Sequence, residues 1–240
     1  MNLRLGLVFV LIFAAGMLSA GAEPAGGAGT PLYPDLRTLR PTNLYFDRVV
    51  FGDGLTHYVL RFDNTVWNAG GGRLELEGKK RSKIYQNLYD APVAGTLAQR
   101  LYIGNDSIFH SGHNHYHLDN FASYLLLKKD ASGVYQATTK KGTKTSFCII
   151  DYARVSGSYG AQYTGCGRTL QGLTVGWGDT YGANLTDQWI DLGTSRLADG
   201  TYAVQSTADP RNKLVESNDG NNVATTCFTV RSGAIAQITC

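Results

Sequence analysis

Long apolar runs are nearly absent from these 240 residues, which removes most helical membrane architectures. The exception is Leu5 to Met17, preceded by Arg4 and followed by small-residue cleavage sites at Leu18-Ser19-Ala20 and Gly21-Ala22. That order of parts predicts a secretory signal peptide over residues 1–22, too short and too soon interrupted by Gly and Ser for a retained span. No cysteine lies near the cleavage region, which argues against a lipoprotein anchor. Residues 23–33 are rich in Gly and Pro and read as a flexible leader. Residues 34–240 are enough for one sizeable core and read as a single domain. Charge is scarce too, at 17% of residues and net +3. Lys79, Lys80, Arg81 and Lys83 form one basic cluster, but no basic surface interleaved with aromatics emerges, so nucleic acid is not an expected partner.

Cysteine is missing until position 148. The four present are Cys148, Cys166, Cys227 and Cys240, with no C-x-x-C spacing to favour a thiolate metal site. An even number in an exported chain predicts two disulfides. Spacing leaves three connectivities open, of which the neighbouring pairs are the simplest, each contributing about 3 kcal/mol on the chain-entropy model.

Helical periodicity is scarcely present. His57 to Phe62 reads H-Y-V-L-R-F and Arg73 to Glu77 reads R-L-E-L-E, patterns that suit half-buried antiparallel strands joined by the turn Asn68-Ala-Gly-Gly-Gly. Lys79 to Leu101 has no firm period and reads as a long loop with one short helical turn. Ala122 to Lys128, Val134 to Thr139, Gln188 to Leu192, Thr201 to Thr207 and Val223 to Val230 read as further strands. Gly157 to Gly178 is loop-heavy. The expected fold is mainly β, an antiparallel β-sandwich-like core with long functional loops.

Against that background one stretch stands out. Ile108 to Phe121 reads I-F-H-S-G-H-N-H-Y-H-L-D-N-F and holds four of the five histidines. His113, His115 and His117 stand at i, i+2 and i+4, so on one extended strand all three imidazoles share a face. His113 and His117 would then lie roughly 13 Å apart at Cα, so the segment must bend for all three to reach one ion. Three imidazoles without a thiolate or carboxylate at matching spacing suit Cu(II) or Zn(II).

The stretch resembles the copper-binding segment of lysyl oxidases, H-x-x-H-x-H-Y-H, and three further motifs follow in the same order. Lys144 to Cys148 (K-T-S-F-C) is similar to that family's K-A-S-F-C. Gln171 to Asp191 (Q-G-L-T-V-G-W-G-D-T-Y-G-A-N-L-T-D-Q-W-I-D) resembles Q-G-L…D-T-Y-G-A-D-I…Q-W-I-D, and Glu216 to Val223 (E-S-N-D-G-N-N-V) resembles E-S-D-x-x-N-N. The resemblance implies that His113, His115 and His117 bind copper, with His110 nearby but outside the set. It implies that Lys144 and Tyr181 cross-link into lysyl tyrosylquinone, the built-in cofactor. It implies oxidative deamination of primary amines, peptidyl lysine of exported proteins among them, to aldehydes by O2, with release of ammonia and hydrogen peroxide. It also matches the surviving cysteines to the pairs Cys148–Cys166 and Cys227–Cys240. Gly112, Trp177 and Asp187 stand where animal members have cysteines.

Asp179, two residues before Tyr181, is a candidate general base, because desolvation would raise its pKa. A different class of function uses the same histidines without catalysis: a copper- or zinc-binding β-sandwich for metal capture or surface interaction. A zinc hydrolase is disfavoured, since no glutamate accompanies the histidines as in H-E-x-x-H enzymes.

Overall fold

The computed structural model describes residues 29–79, 83–105, 107–110, 114–144 and 146–240. The expected signal peptide, most of the expected leader, Lys80, Arg81 and His113 therefore lie outside the described residues. Strands come in the order β1 Leu36–Thr38, β2 Thr42–Val50, β3 Thr56–Asn68, β4 Leu74–Lys79, β5 Lys83–Tyr89 and β6 Leu97–Gly104. Next are β7 Ser107–His110, β8 His115–Asp119, β9 Ala122–Lys129, β10 Tyr135–Lys141, β11 Ser146–Phe147 and β12 Ala153–Arg154. The remainder are β13 Leu170–Leu173, β14 Trp177–Tyr181, β15 Trp189–Gly193, β16 Gly200–Ala208, β17 Val223–Arg231 and β18 Ala234–Ile238. Among the described residues the sole helical segment is the 3-10 turn Asp219–Asn221, so the mainly β expectation holds.

Strand β3 organises the fold. Its thirteen residues carry β2 and β15 along the first half and β1 and β14 along the second, all antiparallel. Facing it is the sheet β10-β9-β16-β17-β18, also antiparallel throughout. Leu60, Phe62 and Val66 of β3 join Tyr124 and Leu126 of β9, Val204 of β16 and Phe228 of β17 in one buried cluster. Phe62 and Tyr124 meet edge to face at 4.9 Å, a favoured aromatic geometry. Two smaller sheets, β13-β4-β5-β6 and β11-β8-β7, flank this pair.

Three sequence expectations change. Lys79 to Leu101 is not a loop with a helical turn but holds β5 and most of β6. Its period is hidden because polar residues occupy buried positions: Gln86 is fully buried, its amide donating to Val215 O at 2.8 Å while Val215 N–H donates back to Oε1 at 2.8 Å. A side chain there completes the hydrogen bonding that a neighbouring strand would supply. Secondly, β3 and β4 do not pair; the turn between them, which the sequence offers as a hairpin or a Greek-key corner, passes from one sheet to another. Gly72 is required in it, since a Cβ there would sit 2.3 Å from Leu32 O. The R-L-E-L-E segment is also more deeply buried than alternation implied, because Glu75 accepts from Asn87, Tyr89 and Tyr163. Thirdly, the histidine segment is not one strand. It reverses between β7 and β8, which pair antiparallel with His110 opposite His115.

The E-S-N-D-G-N-N corner proves to be a staple. Glu216 accepts from Leu36 N–H at the start of β1 and from Asn222 Nδ2, while Ser217 N–H donates to Pro34 O at 2.8 Å. Burial pushes the Glu216 carboxyl up to about 7, against the two donated hydrogen bonds. An acid whose pKa is raised on folding lowers stability as pH climbs from its unfolded value of 4.5 through about 7. Glu216→Gln keeps an acceptor for Leu36 and removes that ionisation. The expected result is a flatter profile, with the melting temperature falling less between pH 5 and pH 8 than in wild type. An unchanged profile would show that Glu216 does not carry the effect.

Candidate active site

The site is assembled where β8, β11 and β14 converge. His115 and His117 lie two residues apart on β8 and so point the same way. Their Nε2 atoms are 3.1 Å apart. With metal–nitrogen bonds of about 2.0–2.1 Å, that separation corresponds to an N–metal–N angle of about 100°. The two rings therefore fit a shared ion. His117 is buried, and its Nδ1 lies 3.4 Å from Ser146 Oγ on β11. Bonds of this kind from the second ring nitrogen orient a metal-binding imidazole.

Strand β11 pairs with β8, Ser146 opposite Asp119 and Phe147 opposite Leu118. Lys144 lies two residues before β11, beyond the Asp119 end of the histidine strand. Two backbone bonds fix its entry: Thr143 N–H to Trp189 O and Lys144 N–H to Asp187 O, both 3.0 Å. Lys144 Nζ then sits 4.8 Å from the Tyr181 ring centre and 5.3 Å from that of Phe147. Tyr181, at the end of β14, packs edge to face on Phe147 at 4.8 Å. Its hydroxyl donates to Cys148 O at 2.9 Å and accepts from Cys148 N–H at 3.0 Å.

Cys148 in turn is bonded to Cys166, and Cys227 to Cys240, the pairs that the family resemblance implies. The sulfurs of Cys148 and Cys166 and a His115 ring nitrogen all lie within 4.8 Å of one another. So one residue, Cys148, touches the phenol through its backbone and neighbours a histidine through its sulfur. A chain of contacts thus runs from Lys144 to Tyr181, from Tyr181 to Cys148 and from Cys148 to His115.

The electrostatics suit chemistry more than stability. Burial drives the Lys144 amine below its ordinary pKa, opposed by Asp187 and Asp179. Burial also pushes the Asp179 carboxyl well above the usual range, opposed by the Lys144 ammonium. Asp179 Oδ2, Tyr124 Oη and Gln188 Oε1 are buried with no hydrogen-bond partner among the described residues. The Tyr181 phenol is held protonated by burial and by Asp179. Each shift moves a group toward its neutral form.

Sequence reasoning missed Gln171. Its Oε1 accepts from Ile149 N–H at 3.0 Å, and its amide donates to Tyr116 O, between the two histidines. One buried side chain thus ties the histidine strand to the segment holding the Tyr181 hydroxyl. The motif Q-G-L was visible, but nothing in it says which backbone groups the glutamine spans. Gln171→Leu is expected to weaken metal affinity by about tenfold or more and to cost about 1–3 kcal/mol from unpaired buried groups. Equilibrium dialysis and denaturant unfolding check both.

Fold and site together define a β-sheet protein in which two facing imidazoles, His115 and His117, accompany a lysine–tyrosine contact, Lys144 on Tyr181. Residues 94–240 match the sequence model of a family described as lysyl oxidase. Protein-lysine 6-oxidase of Homo sapiens is 37% identical over 117 residues, 48% of this chain and 26% of that protein. The Sus scrofa protein of the same name is 38% identical over 117 residues, covering 48% and 43%. Lysyl oxidase homolog 1 of Homo sapiens is 39% identical over 119 residues, covering 48% and 19%. The chain spans less than half the length of each of these relatives. It belongs to the lysyl oxidase family.

Proposed function

We propose that this chain is an exported, copper-dependent amine oxidase of lysyl oxidase type whose organic cofactor forms from Lys144 and Tyr181. The observation that carries the proposal is the position of Lys144 Nζ, 4.8 Å from the Tyr181 ring, beside a phenol tethered to Cys148. His115 and His117, with His113 as the expected third ligand, would hold the copper. When bound, copper and the tyrosine-derived quinone supply redox chemistry that no ordinary side chain offers. The net reaction converts a primary amine, O2 and water into an aldehyde, ammonia and hydrogen peroxide. The substrate class proposed is the lysine side chain of exported proteins, in line with relatives named for protein lysine.

This chain's own residues have separate tasks. Burial keeps Lys144 toward its neutral amine, the form able to add to an electrophilic ring. The Cys148 backbone fixes the phenol oxygen, and Phe147 fixes the ring plane. Asp179 is the proposed base that takes the substrate's Cα proton at a carboxylate oxygen. Its orphaned Oδ2 is an acceptor with no protein donor among the described residues. Export through residues 1–22 is part of the same reading, supported by two disulfides in the chain. Residues 34–240 acting as one domain is supported by β3 pairing with β14 and β15.

The test is a mass measurement on copper-replete protein. A covalently linked peptide pair containing Lys144 and Tyr181 is the expected result. Two unmodified peptides would overturn the oxidase reading and leave a metal-binding β module.

A further inference from the structure

The Cys148–Cys166 disulfide beside His115 has chemistry of its own once it is opened. Around a tetrahedral zinc, with Zn–S bonds of about 2.3 Å and Zn–N of about 2.0–2.1 Å, two sulfurs and a nitrogen stand roughly 3.5–3.8 Å apart. In the oxidised protein these three donor atoms already fall within 4.8 Å of one another. The two Cα atoms are 5.7 Å apart, so rotation about the Cα–Cβ bonds would part the sulfurs to zinc-site spacing without moving the backbone. Cys148 is buried and His115 half-buried, whereas Cys166 is the more open of the two cysteines, so zinc could enter from the Cys166 side.

We propose that reduction of Cys148–Cys166 creates a zinc site formed by the two thiolates and His115, and that this site withholds His115 from copper until the disulfide closes. The second half rests on the copper reading above; the zinc site does not. The steps balance. A dithiol reductant delivers two electrons and two protons to the S–S bond and leaves as its own disulfide. Zn(II) then displaces the two thiol protons to solvent, and a water completes the fourth position. Zinc is redox-inert and thiolate-tolerant, whereas Cu(II) is an oxidant toward thiolates. His115 is within reach of two donor sets: His117 Nε2 lies 3.1 Å from its Nε2, and both sulfurs lie within 4.8 Å of a ring nitrogen. Closing the disulfide removes two of zinc's three protein ligands and returns the imidazole to the histidine cluster. Oxidation of the chain would then precede copper loading.

Cobalt(II), a spectroscopic stand-in for zinc, tests this on the full chain. The dithiol-treated protein should show a thiolate-to-cobalt charge-transfer band and tetrahedral visible bands that the oxidised protein lacks. Zinc should displace the cobalt. The band should survive in Cys227→Ser/Cys240→Ser and vanish in Cys148→Ser/Cys166→Ser. His115→Ala should retain the band but bind on the order of tenfold more weakly. Reduced protein that takes up cobalt without a thiolate band would overturn the proposal, as would a band that depends on Cys227 and Cys240. Where reduction unfolds the chain, zinc should restore its near-ultraviolet dichroism, and failure to do so sinks the site equally. None of these readouts uses oxidase activity, so a missing Lys144–Tyr181 cross-link leaves the zinc result standing.

Discussion

Tyr181→Phe is expected to remove quinone absorbance and reduce amine-dependent peroxide release by at least on the order of 10³-fold, as loss of a covalent catalytic group does. Phenylalanine keeps the ring against Phe147, 4.8 Å away, but has no oxygen from which a quinone can be made. It also leaves Cys148 N–H and O without the phenol that now bridges them. That loss should destabilise by about 1–3 kcal/mol, which is too little to unfold a typical domain. Lys144→Arg supplies the control for folding. It preserves a cation near Asp179 and Asp187, yet a guanidinium stays protonated and does not add to the ring. Both variants should retain wild-type copper content while losing the linked peptide. Peroxide release at wild-type rate from copper-loaded Tyr181→Phe would remove the cofactor assignment outright.

Asp179→Asn should lower kcat by roughly 10²–10⁴-fold, the usual range for a general base, without disturbing copper content or the Lys144–Tyr181 cross-link. The pH dependence separates this role from a structural one. The active form is the carboxylate, and burial raises its pKa well above the ordinary value of 3.8. Wild-type kcat should therefore fall as pH drops through that elevated pKa, and the acid limb should disappear in the asparagine variant. Stability should move the other way. A carboxyl that folds with a raised pKa destabilises the protein as pH climbs through it. Asparagine has no such ionisation, so the variant should be at least as stable as wild type at alkaline pH. A variant that keeps the acid limb of kcat, or that fails to link Lys144 with Tyr181, would assign Asp179 to assembly of the site instead.

How much of this was legible depended on the kind of residue. His115 and His117 could be assigned to one face because i, i+2 alternation is local geometry, and their Nε2 atoms do meet at 3.1 Å. The hairpin between β7 and β8 was hidden because alternation looks the same whether a strand continues or reverses. Gln86 and Glu75 hid β5 and the burial of β4, since buried polar residues satisfied by distant backbone look solvent-facing in sequence. Gln171 went unremarked for the same reason. Trp177 donates its indole N–H to Tyr159 O at 2.7 Å, a loop contact that no motif discloses.

Sequence by itself determined the mainly β character, the crowding of imidazoles, the even cysteine count and the four ordered motifs, because composition and short-range spacing suffice for these. Only the tertiary structure decided that Lys144 contacts Tyr181 and that Cys148 links Tyr181 to His115. They meet through β11 pairing with β8 and through the Tyr181 hydroxyl bridging to Cys148. Such contacts join residues 27 or more positions apart, and the packing that selects them depends on all the sheets at once. The same packing strips water from Lys144 and Asp179, and that desolvation turns two ordinary side chains into candidates for chemistry.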